Sequence, residues 1–316
     1  MRRIVLAADL GGTNLRLAAA DEAGSVIHRL RVATPASRSR DDIVAAIGDL
    51  AAGCIEHLGP DAAPLAFGVA APAIINSCSG TIFSSPNLPE LNGFDLAGPL
   101  RERLGLPVIL ENDANAAAVG ENWLGASKGT ANSVCVTLGT GVGGGLILDG
   151  RLMRGVDGTA GEIGHINVEP DGHPCGCGSW GCVEQYASAT AIIRTAGELA
   201  ADFPNSPLNG RGSLSSVDVF DAGQNGDSLA LEVFRRVGRY LGIALADLVN
   251  VLNPEVIVIG GGAAAGWDLF IEHTRDEITK RAFREPAESA RLLRAALGDD
   301  AGILGAARLA LDSGKI

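Results

Sequence analysis

Gly161–Glu184 reads GEIGHINVEPDGHPCGCGSWGCVE and contains His165, Cys175, Cys177 and Cys182. Three thiols and one imidazole are a complete tetrahedral ligand set for zinc. Cys175-Gly-Cys177 is tighter than a CxxC pair, and Gly176, Gly178 and Gly181 let the backbone fold around an ion. Buried free thiols are the competing reading, since Cys is a frequent core residue. Three Cys within eight residues, all beside Gly, would pack a core poorly. Four protein ligands leave no open position for water, so such a metal would be structural. Glu162 and Glu184 flank the knot without being needed by it, and are placed to meet whatever lies alongside.

Outward from the knot, 316 residues suffice for one large or two modest domains. Hydrophobic residues make up 47% and aromatic ones only 4%, so the core is built mostly of Ala, Leu, Val and Ile. A net charge of −12 argues against a nucleic-acid partner, which needs a basic surface. It leaves room for a nucleotide, whose phosphates backbone amides and helix N-termini can hold. The Cys pattern in a chain this long is not a disulfide framework, and Cys54, Cys78 and Cys135 stand alone. No signal peptide and no apolar run of about 18 residues is visible, so the expected location is the cytoplasm.

Ile4–Ala8, Asp9-Leu10-Gly11-Gly12-Thr13-Asn14 and Leu15–Ala20 read as strand, Gly turn and strand, with turn amides able to face phosphate. An ordinary tight hairpin remains the alternative. No helix follows the glycines, so this is not a dinucleotide fingerprint, and no Gly-Lys-Ser/Thr marks a P-loop. Asp41–Leu58 has helical spacing with Asp41 as N-cap. Leu65–Ala71 and Pro107–Leu110 read as strands, the second delivering Glu111-Asn112-Asp113 to a helix over Ala114–Trp123. Leu96–Leu104 is a short helix and Ser84–Leu88 a turn-rich loop. Val134–Leu138, Gly139–Gly145 and Leu146–Leu148 repeat the opening theme, which suggests an internal duplication. Glu184–Leu199 is helical, and Asp227 caps a long amphipathic helix through Val251 with Leu231, Phe234, Val237, Leu241, Leu245 and Leu248 on one face. Val256–Ile259 runs into Gly260-Gly261-Gly262 and then a helix to about Phe270. Asp299–Leu311 is a terminal helix, with Ser313–Ile316 a frayed tail.

Asp113 is the candidate general base, at a strand end that opens a helix. A plain helix N-cap is an equally good reading of the same residue. Asn112 offers a donor and an acceptor, and with Glu162, His165 and Glu184 supplies groups suited to a polyhydroxylated ligand.

Taken together, the motifs resemble those of the ROK family of sugar kinases, a branch of the hexokinase–actin–Hsp70 superfamily. They are DLGGTNLR (9–16), ENDANAA (111–117), GTGVGGG (139–145), GEIGH (161–165), CGCGSWGCVEQYAS (175–188) and IGGG (259–262), and the match runs from the first strand to the last helix. The resemblance implies two actin-like, ribonuclease H-like α/β domains flanking a cleft. The smaller would span 1–112 plus about 300–316, and the larger 113–299 with the zinc knot at 165–182. It implies that Asp113 deprotonates the 6-hydroxyl of a hexose as that oxygen attacks the γ-phosphate of ATP. Asp9, Gly11, Gly12, Thr13, Asn14, Gly139, Thr140, Gly141 and Gly143 would hold phosphates and Mg²⁺, and Gly260–Gly262 would border the adenosine. Asn87, Asn112, Glu162, His165 and Glu184 would bind the sugar, His165 also sharing the zinc with Cys175, Cys177 and Cys182. Glucose is the expected substrate, with N-acetylmannosamine as the alternative among kinases and a sugar sensor without catalysis as the alternative outside them. The family's repressors carry a winged-helix domain before the first hairpin; with Asp9 as the ninth residue and an acidic net charge, a repressor is not the expected reading. A homodimer, or a tetramer, is expected. The family usually has Gly where this chain has Ala73 after Pro72, a place where a Cβ would resist positive φ.

Overall fold

The computed structural model describes residues 3–59, 62–76 and 79–313. Cys78 and the last residues of the expected tail lie outside them. The strands are β1 (Ile4–Leu10), β2 (Asn14–Asp21), β3 (Val26–Ala33), β4 (Phe67–Ala71), β5 (Ile74–Asn76), β6 (Thr81–Ser84), β7 (Val108–Asn112), β8 (Ser133–Leu138), β9 (Val142–Leu148), β10 (Arg151–Leu152), β11 (Val256–Gly260) and β12 (Arg291–Arg294). The helices are α1 (Arg40–Leu58), α2 (Ala97–Leu104), α3 (Asp113–Leu124), α4 (Glu184–Ala187), α5 (Ala189–Leu199), α6 (Ser216–Gln224), α7 (Ser228–Leu252), α8 (Trp267–Arg281), α9 (Arg284–Ser289) and α10 (Ala301–Ser313). None of them is long and apolar enough to cross a membrane.

Two five-stranded sheets carry the fold, ordered β3-β2-β1-β4-β7 and β10-β9-β8-β11-β12. The second repeats the connectivity of the first strand for strand, so the duplication suspected from two Gly turns extends to whole sheets. In the first, β1 pairs antiparallel with β2 and parallel with β4, and β4 pairs parallel with β7. In the second, β11 pairs parallel with β8 and with β12. By contacts the chain forms two units. One holds residues 1–129, 145–161 and 296–316, the other 130–144 and 162–295.

The first unit owes its layers to a difference in side-chain size across the sheet. Ile4, Leu6, Leu10, Phe67 and Val69 point into a large-residue core that includes Ile43 and Ile47 of α1 and Leu100 of α2. The alternate positions, Val5, Ala7, Ala18, Ala20 and Ala70, face α10 and Ala116 of α3. Strand alternation makes both faces apolar, and the Ala-rich face lets helices approach closely. A Cβ at Gly305 of α10 would lie 1.7 Å from the Ala116 carbonyl oxygen, and one at Gly120 of α3 would lie 2.3 Å from that of Ala301. At the far end of α3, the buried Glu121 carboxylate accepts the backbone N–H groups of Ala126, Ala296 and Leu297. These contacts put α3 with the first unit, whereas the sequence suggested a boundary at residue 112.

In the second unit α7 is the central helix, and Phe234, Val237, Leu241 and Leu245 are buried as the pattern predicts. Burial of each such side chain contributes roughly 1.5–3 kcal/mol. Leu231 of the predicted face is exposed, and Val233 and Val249 are buried in addition. Asp227 caps α7, its side chain accepting from Ala230 N.

Other local expectations shift. Ser39, not Asp41, caps α1, accepting from Asp42 N. The helix expected over 184–199 breaks at Ser188, whose side chain accepts from Ala191 N and starts α5 anew. The Gly turn expected over 139–145 is confined to 139–141, since β9 begins at Val142. A 3-10 turn over Gly262–Gly266 precedes α8, which runs on to Arg281. Ala73 does not adopt positive φ, so its Cβ carries no backbone strain.

Because α3 and α10 touch through backbone, Gly305→Ala should lower stability by about 1–3 kcal/mol through overpacking. In α5, a Cβ at Gly197 would meet nothing within 4 Å, and Gly197→Ala should stabilise by about 0.5–1 kcal/mol. Urea unfolding of both variants checks the pair. Equal effects of one sign would contradict the packing described.

Candidate functional site

The knot forms as a compact loop held by its own backbone. Cys175 N donates to Ser179 O at 2.8 Å, Gly181 N to His173 O at 2.8 Å, and Val183 N to Ile166 O at 2.9 Å. Gly181 has φ +65°, and a Cβ there would lie 1.7 Å from Glu169 O, so no other residue fits this loop. The result brings His165, Cys175, Cys177 and Cys182 together, with one ligand atom of each within 4.8 Å of every other. This is the one such grouping of metal-ligating atoms among the described residues.

The spacing fits zinc. His165 Nδ1 lies 3.6 Å from Cys175 Sγ, and Cys177 Sγ lies 3.7 Å from Cys182 Sγ. A tetrahedron with bonds of the usual Zn–N and Zn–S lengths has edges of about 3.5–3.8 Å. Burial and the neighbouring Cys175 and Cys177 push the Cys182 thiol up to about 12 without a metal, whereas a backbone N–H bond at Ser179 is the main cause that lowers Cys177. A cation is what would hold all three as thiolates.

The knot also reaches the second Gly turn. Glu184 Oε2 accepts the Val142 N–H at 3.0 Å, and Glu184 Oε1 lies 3.9 Å from Cys175 Sγ. Ala189 N donates to Gly139 O and Thr190 Oγ1 to Thr140 O, so the start of α5 also grips this turn. Gly139 N donates to Gly141 O at 2.9 Å, closing it. Gly143 lies within β9 rather than in the turn. Gly260 ends β11 and Gly261 and Gly262 follow, with Gly261 packed against the backbone of Leu138 at the end of β8. Thus Gly139–Gly141, Gly260–Gly262, Glu184 and His165 gather in the second unit. His165 turns Nδ1 to the thiols and Nε2 outward, 3.9 Å from Glu162 Oε2. Partial burial is the main cause that raises the Glu162 carboxyl, with His165 opposing and Glu184 adding to the rise.

In the first unit, Asp9, Gly11, Gly12, Thr13 and Asn14 line a cavity of about 310 Å³ together with Arg16, Arg31 and Asp299. Gly11 N donates to Asn14 O at 2.8 Å, a closure one residue wider than that of Gly139 and Gly141 in the second turn. Arg16 pairs with Asp9, and Arg31 Nη2 donates to Asn14 Oδ1 at 3.0 Å. Asn87 is exposed beside this hairpin, 3.8 Å from where a Gly12 Cβ would stand. The first unit also carries Asn112 and Asp113. Asn112 caps α3, its Oδ1 accepting from Asn115 N at 3.0 Å and its Nδ2 donating to Ala73 O at 3.1 Å. Asp113 is the first residue of α3 and accepts from Ala114 N at 2.8 Å. The capping role that competed for Asp113 therefore belongs to its neighbour.

Sequence reasoning passed over Glu111 and Arg154. Glu111 is buried, accepts from Arg154 Nε at 2.7 Å, and its other oxygen accepts from Asn115 Nδ2 and Asn112 N. The signal available was an acid directly before the Asn-Asp pair. Arg16 stood inside a quoted motif and was assigned nothing. Arg31 and Asp299 reach the hairpin only through folding.

Cys177 is exposed, so its loss tests the knot without opening a core. Cys177→Ser should lower bound zinc from about one ion per chain and lower Tm. Because zinc displaces thiol protons, affinity should fall as pH falls. Metal analysis after dialysis at stepped pH checks both. A zinc-free wild type of unchanged Tm would remove the metal.

Comparison with known proteins gives the family of the chain. The ROK family model matches residues 5–313. A glucokinase of Halalkalibacterium halodurans is 39% identical over 303 residues, covering 94% of this chain and 92% of its own. A ROK family glucokinase from Streptomyces griseus, solved in complex with glucose and AMPPNP, superposes with a TM-score of 0.82 at 37% identity, covering 98% of this chain and 99% of that one. The xylose repressor of Bacillus subtilis is 31% identical over 248 residues, which span 78% of this chain and 61% of the repressor. The chain belongs to the ROK family.

Proposed function

We propose that the chain is an ATP-dependent hexokinase that phosphorylates the 6-hydroxyl of glucose. The observation that carries the chemistry is the place of Asp113, the first residue of α3 directly after the cap Asn112 at the end of β7. Similarity to glucokinases over nearly the whole chain supports the choice of glucose.

In this reading Asp113 takes the hydroxyl proton as the sugar oxygen attacks the γ-phosphorus, and ADP leaves. Asn87, Asn112, Glu162, His165 and Glu184 bind sugar hydroxyls. Asp9 with Gly11–Asn14, and Gly139–Gly141 with Gly143, take Mg²⁺ and phosphates, and Gly260–Gly262 border the nucleoside. Phosphoryl transfer depends mainly on positioning and charge neutralisation, and a base adds about 10²–10⁴-fold. The zinc, held by His165, Cys175, Cys177 and Cys182, would keep the imidazole oriented with Nε2 outward and take no part in the transfer.

Asp113→Asn should lower kcat by about 10²–10⁴-fold while glucose still binds. A coupled ADP-release assay on glucose, mannose, fructose, N-acetylglucosamine and N-acetylmannosamine, with calorimetry for binding, checks this. Near-normal turnover by the variant would remove Asp113 as the base. An N-acetylated sugar as best substrate would replace glucose, and sugar binding without turnover by the wild type would make the chain a sensor.

Glu184→Gln keeps an oxygen to accept from Val142 N and removes only the charge. KM for sugar should rise about tenfold or more, as for loss of a charged hydrogen bond, with KM for ATP little changed. The reverse pattern would assign Glu184 to the nucleotide-side turn alone.

A further inference from the structure

A cavity of about 790 Å³ within the first unit has no part in the proposed reaction. It lies along the C-terminal halves of α3 and α10 and the β9–β10 hairpin, and a volume of this size suits a small organic ligand. Four cations line it, Lys128, Arg151, Arg154 and Arg308, against one lining carboxylate, Asp312. In a chain of net charge −12, that concentration runs against the overall composition and marks the wall as anion-seeking.

The four cations are not equivalent. Arg154 is committed to Glu111, and Arg308 to Asp312 at 2.9 Å while lying 5.5 Å from the centre of the Trp123 ring. Lys128 and Arg151 are exposed and make no ion pair among the described residues. Ile109, Val119, Ile147, Leu152 and Leu309 line it beside the indole, and Asn122 and Ser313 add neutral polar groups to the wall. We propose that this cavity binds a small organic phosphate, its dianionic head on Lys128 and Arg151 and its apolar body against Trp123 and the aliphatic wall. Arg suits a phosphate through paired N–H donors and Lys as a point charge.

The probes are phenyl phosphate and inorganic phosphate, titrated by calorimetry into the wild-type chain without Mg²⁺ or nucleotide. Phenyl phosphate should bind more tightly than inorganic phosphate. Charge reversal in K128E/R151E should weaken phenyl phosphate about tenfold or more, as expected for lost charged hydrogen bonds. W123A should shrink the advantage of the phenyl ring and leave inorganic phosphate as it was. Lys128 and Arg151 are both exposed, so their replacement leaves the core intact. Should the double variant not fold, as judged by its Tm, R151Q carries the same comparison. Unchanged affinity in the charge variants would place the anion elsewhere, including on the Gly turns, and overturn the proposal. So would an absence of wild-type binding at 10 mM probe, roughly the weakest affinity such a site could have and still act.

Discussion

The first unit depends on two helices meeting backbone to backbone. Gly120 and Gly305 remove the side chains that would hold α3 and α10 apart, and the Ala-rich face of the sheet accepts the pair. Dispersion gains fall steeply with separation, so such a contact exists only while every residue in the seam stays small. Glu121 then ties the end of α3 to the start of the C-terminal segment through three backbone N–H groups. The orientation of α3 follows, and with it the position of Asp113 at one end and of Trp123 at the other. One seam therefore positions the candidate base and forms a wall of the cationic cavity.

The knot solves a different problem. Residues 165–182 have little apolar content to bury, and Cys177 and Trp180 are exposed. A loop of this composition has no core to order it, which is the situation in which a metal replaces one. The ordering reaches further than the ligands. Glu184 and Ala189, just beyond Cys182, hold the Gly139–Val142 turn. Thiol chemistry at one place is thereby linked to backbone amides at another through Glu184, which touches both Cys175 Sγ and Val142 N.

What the sequence made legible follows from how local each signal is. The Gly turns, the zinc ligands, the Asn-Asp pair and the long amphipathic helix are each written in a few adjacent residues or one strong period. Edge strands were not legible: β3 mixes half-buried with exposed residues, two of them Arg29 and Arg31, and β12 is four residues long. The break at Ser188 hides in an Ala-rich run whose helical spacing continues on both sides. The membership of α3 rests on contacts between Gly120 and Gly305, far apart in the chain, for which no local pattern exists. Glu111 and Arg154 escaped for the same reason, since a buried ion pair shows itself only when two distant segments meet.

The duplicated sheets show how one topology comes to hold unlike chemistry. Each begins with a strand, a three- or four-residue Gly turn closed by one backbone hydrogen bond, and a returning strand. Lining up Leu10-Gly11 with Leu138-Gly139 sets Asp9 of one half against Thr137 of the other. The first turn thus has a carboxylate at its base, with Arg16 and Arg31 around it. The second has a neutral hydroxyl there, and its carboxylate, Glu184, arrives from the knot to bind the turn's own N–H. A cation and its phosphates need the first arrangement, because charge must be both supplied and balanced. The backbone was copied and the charges were not, so each turn carries its own electrostatics within its own unit.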